Sequence, residues 1–394
     1  MKALLDRAKT FAEDLVTLRR ELHRHPELSF QEHRTAGLLA ERLSSLGYRV
    51  KTGVGKTGIV AELGDHGPVV ALRADMDALP IQEQSDRDYR STVKGVMHAC
   101  GHDAHMSMLT GAARLLADSA RTKALPGTVR LLLQPSEEAA DEENKSGATR
   151  MIEDGAMKGV DAVFGLHIGA HLESGKAFVR AGPYMAGTDT FHATIHGKSS
   201  HAARPQEGID AIVLAAHVVL ACQNAVARHI SPLQPAVLSI GKINGGVAEN
   251  VIADAVSLKG TMRYYDEDVR RTLHRELRAA LTVADALGGT HSLDLREGYP
   301  PVINDDAVTA IARQVALDVL GPEAIAPYEP MMGAEDFAFL ARKAPGCFIW
   351  LGAALNPPRE HHHPNFDIDE SVLALGAALL AGCALGFLDQ RSNE

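Results

Sequence analysis

Apolar positions recur every three or four residues in FAEDLVTLRRELHRHPE (11–27) and again in QEHRTAGLLAERLSSLG (31–47). That spacing predicts two amphipathic helices, the second ended by Gly47. Short, nearly continuous apolar runs follow at GIVAEL (58–63), PVVALRAD (68–75), VRLLLQP (129–135) and DAVFGLHI (161–168). Helical periodicity fills the gaps between them at DAHMSMLTGAARLLADS (103–119) and GATRMIEDGAM (147–157). Alternation of this kind predicts an α/β fold with a mixed, partly parallel sheet flanked by helices.

The pattern changes after Gly182. DTFHATIHGK reads as a strand, 208–230 as a long helix, VLSIGKINGG and VIADAVSLKGTMRYY as paired strands, and 266–289 as a second long helix. The order β-α-β-β-α-β predicts a small α+β domain inserted into the larger one. From about Leu295 the larger pattern resumes, with a helix at 306–321, a strand at CFIWLGA and a closing apolar segment at 372–388. That last segment is uncharged and near the lower length limit of a membrane span. Its Ala/Gly content and the preceding DIDE favour a buried helix closing the core.

Composition narrows the function classes. The chain has 394 residues, 45% hydrophobic and 23% charged, with a net charge of −10. This is enough for two domains, and it argues against a nucleic-acid partner. Four scattered cysteines do not make a disulfide framework. The amino terminus carries charges throughout and lacks the apolar core of a signal peptide, so the expectation is a soluble, cytoplasmic protein without a membrane anchor.

Candidate chemistry gathers where strands end. The segment MHACGHDAHM places His98, Cys100, His102, Asp103 and His105 before a helix. Arg73, Asp75 and Asp77 follow one strand, Glu137 and Glu138 follow another, His167 lies at the end of a third, and EHHHPNFD supplies His361 to His363. In an open α/β sheet, ligands collect beyond the carboxyl ends of the strands. Singly, an adjacent Glu pair reads as a solvated loop, a strand histidine as a core group and a triple histidine as surface. Jointly they offer nitrogen, sulfur and oxygen donors that zinc, manganese or cobalt accept. A thiol nucleophile, Cys100 with a histidine base, is the competing reading.

The motifs HACGHD, QPSEE, GLHI, HGKSSHAARP, GAEDF and HHPNFD resemble, in order and end to end, those of the aminoacylase, hippurate hydrolase and auxin-amide hydrolase branch of the dinuclear metallopeptidases. The resemblance implies a zinc-exopeptidase-like catalytic domain at 1–185 and 297–394, and a ferredoxin-like lid and dimerisation domain at 186–296. It implies two divalent metal ions per subunit (Mn, Zn, Co or Ni), held by Cys100, His102, Glu138, His167 and His362, with His363 the rival for the last place. Glu137 matches the catalytic acid/base, and His201 the lid histidine that steadies the oxyanion in the partner subunit's site. Asn250 and Arg263 match residues that hold the substrate carboxylate. Where distant relatives have H-x-D, this chain has Arg73-Ala74-Asp75, which leaves Asp75 without an assigned role. The expected activity is hydrolysis of N-acyl amino acids by a homodimer; a dipeptidase or exopeptidase of the same clan is the alternative. A silent metal-binding scaffold is disfavoured because Glu137 is retained.

Overall fold

The computed structural model describes residues 1–392 and divides into two compact units. The first comprises Met1–Tyr184, Ile303–Glu329 and the chain from Asp336 on; the second comprises Met185–Val302 and Pro330–Glu335. The second unit thus runs six residues beyond the expected 296 and takes in a short returning segment, which no periodicity announces.

The first unit opens with α1 (Lys2–Lys9), α2 (Ala12–Arg24), α3 (His33–Ser45), β1 (Arg49–Val54), β2 (Gly58–Leu63) and β3 (Val69–Asp75). It continues through α4 (His102–Thr122), β4 (Thr128–Gln134), α5 (Gly147–Glu153), β5 (Ala162–Gly169) and β6 (Ala177–Phe178), after which β7 (Gly182–Met185) leads out of it. The second unit holds β8 (Gly187–His196), α6 (Ala211–His229), β9 (Ala236–Gly245), β10 (Ala255–Tyr264), α7 (Glu267–Ala286) and β11 (Thr290–Glu297). The chain returns by β12 (Val302–Asn304) to α8 (Asp306–Leu320), β13 (Ile325–Ala326), α9 (Phe337–Ala341), β14 (Gly346–Gly352) and α10 (Leu373–Arg391).

The first unit is a mixed α/β structure whose eight-stranded sheet has the order β1-β2-β4-β3-β5-β14-β6-β13. Its centre, β4-β3-β5-β14, is parallel, whereas β1, β2 and β4 are joined antiparallel. The parallel strands are buried along their length, as expected of a sheet covered by helices. The register sets Asp75 beside Gln134, so β3 and β4 end level with each other and deliver the loops that follow to one edge. Helices α4 and α10 pack together over β3 and β5, with α1, α2 and α8 outside them. Two helical segments, Ala211–His229 and Glu370–Arg391, are long and apolar enough to cross a membrane. Residues of α10 are buried all around its circumference, which is the position of a central core helix.

Two elements depart from the periodic reading. β1 (RVKTGV) carries Arg and Lys on an exposed edge and lacks apolar alternation, so no pattern marks it. α5 stops at Glu153, short of Met157, because Gly155 takes a left-handed φ of +84°.

The second unit is a four-stranded antiparallel sheet in the order β11-β8-β10-β9, the ferredoxin-like arrangement, with α6 and α7 packed on it. Asp210 and Asp266 cap these helices by accepting from their first amides. Its core is Phe191, Ile195, Leu258, Met262, Leu273, Leu277 and Leu281.

The buried Asp189 of β8 fastens this unit. It accepts from Arg270 Nε (2.8 Å) and Nη2 (2.9 Å), from His274 Nε2 (2.6 Å) and from the Gly298 N–H (2.9 Å). Burial raises its pKa, but Arg270 and the other donors outweigh that and hold it below the usual carboxylate range. A depressed folded-state pKa contributes stability above the unfolded value of about 3.9, lost as pH falls through the folded one. Asp189→Asn is therefore expected to cost about 1.5–3 kcal/mol at pH 7, the range for hydrogen bonds to a charged group. Urea unfolding followed by circular dichroism should show the deficit narrowing below about pH 4; a deficit constant with pH would exclude the ionic contribution.

Candidate metal centre

Five side chains from four parts of the first unit approach one another. Cys100 and His102 flank Gly101, whose φ of +93° starts α4. A Cβ on Gly101 would lie 2.4 Å from Ile168 Cδ1, so glycine lets this loop press against β5. There Cys100 Sγ lies 3.6 Å from His167 Nε2. Glu138 comes from the loop after β4, and its Oε1 lies 3.9 Å from His102 Nε2 and 3.1 Å from His362 Nε2. His362 has a left-handed φ of +57°, and its N–H donates to the Ala99 carbonyl (2.8 Å), tying the late loop to the cysteine segment.

Potential ligand atoms form two triads, Cys100–His102–His167 and Cys100–Glu138–His362, each with all its atoms within 4.8 Å of one another. Cys100 belongs to both. A third group, His102–Glu137–Glu138, places Glu137 beside the same atoms. Asp75, His102 and His105 form a fourth at the end of β3.

The hydrogen bonds around the histidines orient their lone pairs. His102 donates Nδ1–H to the Asp77 carbonyl (2.8 Å), with Asp77 Oδ1 at 3.2 Å. His167 donates Nδ1–H to the Ile168 carbonyl (2.7 Å). In both rings Nε2 is left as the lone-pair nitrogen, the arrangement that supporting hydrogen bonds impose on metal-binding histidines. His102 Nε2 is buried without a hydrogen-bond partner. Buried polar atoms rarely remain unsatisfied, and a sulfur–nitrogen–carboxylate set suits a borderline-soft divalent cation. The residues present fit such an ion.

Charge leads to the same reading. Burial first, then the carboxylates of Glu138, Glu137 and Asp75, push the Cys100 thiol well above its ordinary value. A nucleophilic cysteine needs the opposite, electropositive surroundings that favour thiolate. Burial opposes charge on His102, yet Asp75 and Asp77 outweigh it and raise this ring to about 10. The acids that favour a proton on His102 would equally favour a metal cation at the same Nε2, in the proton's place.

The structure separates the three consecutive histidines. His361 is half-buried and accepts the Ala170 N–H at Nε2 (3.0 Å), and desolvation pushes it down to about 3. His363 is exposed, with Nδ1 accepting from the Asn365 N–H (3.2 Å). His362 alone of the three belongs to a close ligand group. His98 is buried with neither ring nitrogen bonded, and burial lowers it to about 4.

His201, Asn250 and Arg263 lie in the second unit. The exposed His201 accepts the Ala203 N–H at Nδ1 (3.0 Å), and the Asn250 carbonyl accepts the N–H of Ala202. The half-buried Arg263 donates to Thr188 Oγ1 (2.5 Å) and to the carbonyls of Met262 (3.0 Å) and Met332 (3.2 Å), all neutral acceptors.

Several supporting residues carried no assigned role in sequence. Asp75 accepts from His105 Nδ1 (2.6 Å) and pairs with Arg73 (2.6 Å), and Arg73 pairs with Asp336 (2.9 Å). Asp77 accepts the amides of Glu137 (3.1 Å) and Glu138 (3.0 Å). In sequence, Asp75 and Asp77 are signalled by their place at a strand end, His105 by the MHACGHDAHM segment and Asp336 by the GAEDF motif.

Comparison with known proteins agrees with this geometry. The profile described as "Peptidase family M20/M25/M40" matches residues 71–385. N-acetyl-L-cysteine deacetylase of Bacillus subtilis (strain 168) is 39% identical over 98% of this chain and 90% of its own. IAA-amino acid hydrolase ILR1-like 2 of Arabidopsis thaliana is 39% identical over 96% and 86%, and thermostable carboxypeptidase 2 of Saccharolobus solfataricus 39% over 98% and 98%. A crystal structure described as a dinuclear metal-binding peptidase from the M20 family, from Bacillus subtilis, superposes with a TM-score of 0.83 at 35% identity, covering 97% of this chain and 99% of that one. With motifs, fold and near full-length relatives in agreement, the chain belongs to peptidase family M20/M25/M40 and is a hydrolase of amide bonds.

Proposed function

We propose that the protein is a metal-dependent amidohydrolase cleaving N-acyl amino acids, N-acetyl or hippurate-like, to a carboxylic acid and a free amino acid. The observation that carries this reading is the pair of ligand triads meeting at Cys100 with Glu137 beside them. Cys100, His102, Glu138, His167 and His362 would hold two divalent ions, of manganese, zinc, cobalt or nickel. When bound, such ions polarise an amide carbonyl and lower the pKa of water. Glu138 is committed to that cluster, which leaves Glu137 to take a proton from the attacking water and pass it to the departing amine nitrogen. The second unit supplies the rest. Arg263 brings a positive charge whose hydrogen bonds go to neutral acceptors, suited to the free carboxylate of the amino acid, a role Asn250 would share. His201 donates to the oxyanion of a partner subunit's site. A homodimer is supported by α6, which leaves Ile212, Val213 and Leu220 at 50, 51 and 67% exposure. Cysteines without a disulfide support a cytoplasmic enzyme.

A carboxypeptidase or dipeptidase is the second reading, favoured by the Saccharolobus relative. Turnover of N-acetyl, N-benzoyl and free-amine substrates, compared side by side, separates the two; a preference for free-amine peptides would select the second.

Elemental analysis is expected to find up to two transition-metal ions per chain, and chelation to abolish turnover; full activity without metal would sink the mechanism. Glu137→Gln should lower kcat by about 10²- to 10⁴-fold, the contribution of a positioned acid/base, with metal content retained. Loss of metal in Glu137→Gln but not in Glu138→Gln would reverse the assignment of the pair.

His201→Ala should lower kcat by about 10²- to 10³-fold, as for loss of one oxyanion donor. Mixing it with Glu137→Gln chains should restore part of the activity, since one site of each heterodimer then has both residues. No recovery after demonstrated subunit exchange would place His201 in its own chain's service or outside catalysis.

A further inference from the structure

Glu32 occupies the position just before α3, where a side chain ordinarily caps the first amides of a helix. It does not do so. Glu27 accepts the N–H groups of Arg34 (3.0 Å) and Thr35 (2.8 Å) instead. Glu32 is fully buried and turns inward, where Oε1 accepts from the N–H of Phe30 (3.0 Å) and of Ser136 (2.9 Å), and Oε2 from the Thr57 hydroxyl. Ser136 and Phe30 both hold left-handed φ values, +47° and +59°, that side chains other than glycine rarely adopt. Ser136 directly precedes Glu137 and Glu138.

The same turn is gripped elsewhere. The Ser136 hydroxyl donates to the Ala139 carbonyl (2.7 Å), and the Ser136 carbonyl accepts the Gly147 N–H (2.9 Å). A Cβ on Gly147 would lie 1.6 Å from the Pro135 carbonyl oxygen, so the backbone there is packed tight. Within this clasp Glu32 holds the residue whose conformation is strained, and strain persists only where its surroundings enforce it.

We infer that Glu32 is a positioning residue for the Glu137–Glu138 pair: by holding Ser136 left-handed, it sets the direction in which the next two side chains leave the backbone. The inference rests on the roles given to Glu137 and Glu138 above. Hydrogen-bond valence makes it specific. A glutamine can reproduce every contact, its amide oxygen accepting both N–H groups and its NH2 donating to Thr57 Oγ1. An aspartate, one methylene shorter, cannot reach them together.

The test compares Glu32→Gln, Glu32→Asp and Glu32→Ala in the full chain for kcat, KM, metal content, melting temperature and hydrogen exchange of the segment 134–139. Glu32→Ala and Glu32→Asp should lower kcat by up to about 10²-fold, the scale of a small misplacement of catalytic groups, with KM and metal content near wild type. Glu32→Gln should restore most of the activity. Exchange in 134–139 should quicken in the first two variants and not in Glu32→Gln. If Glu32→Ala does not fold, the Asp and Gln variants carry the same contrast. Wild-type kcat in Glu32→Asp, activity lost only in proportion to missing metal, or Glu32→Gln as impaired as Glu32→Asp would each overturn the inference. The exchange measurement needs no substrate. A wild-type chain inactive on N-acyl amino acids would count against the proposed function, while exchange alone would still decide for or against Glu32.

Discussion

Asp77 accepts four hydrogen bonds, from His102 Nδ1, from the amides of Glu137 and Glu138, and from the Ser29 hydroxyl (2.7 Å). The carboxylate is fully buried, where it would be costly unless its lone pairs were satisfied. Burial raises its pKa, but the imidazole of His102 and the other donors prevail and hold it below the ordinary value. One residue, through its carbonyl and its carboxylate, therefore fixes the histidine tautomer and the start of the glutamate pair at once. If Asp77 moved, both would move.

A second buried network ties the late histidine loop to the same frame. Arg19 of α2 pairs with Asp103 (2.8 Å), next to His102, and with Asp367 (3.1 Å) and Glu370 (3.1 Å), beyond His362. His23 adds a contact to Asp103 (2.7 Å). Ion pairs taken out of water gain little net stability. Their geometric demand is high, however, and here it bears on the two segments, remote in sequence, that bring His102 and His362 together. The parallel strands supply a rigid base, and the buried charges set the loops on it.

The five residues matched to metal ligands were found in sequence because each lies in a short motif resembling a known family's. Glu138 and His167 also fall near strand ends, where the α/β rule sends ligands, whereas Cys100 and His102 precede a helix and His362 lies in a late loop. Periodicity gave the parallel strands and the β-α-β-β-α-β insertion for another reason: burial on one or both faces leaves a regular apolar pattern. Edge strand β1 and the return of Pro330–Glu335 to the second unit left no such trace, since an exposed polar edge and an irregular loop have no period to read.

By itself, the sequence determined the order of elements, the residue types able to bind a divalent ion, and the adjacency of Glu137 to Glu138. It left His363 as a rival to His362, because identical neighbouring side chains differ only in where the backbone points them. The structure sets His362, on a left-handed turn, in a close group with Cys100 and Glu138, and leaves His363 exposed. Nor could the sequence show that Glu32, more than a hundred positions before Ser136, holds the loop that carries the glutamate pair. Hydrogen bonds between segments distant along the chain exist only once both are packed, so their partners were decided by the tertiary structure.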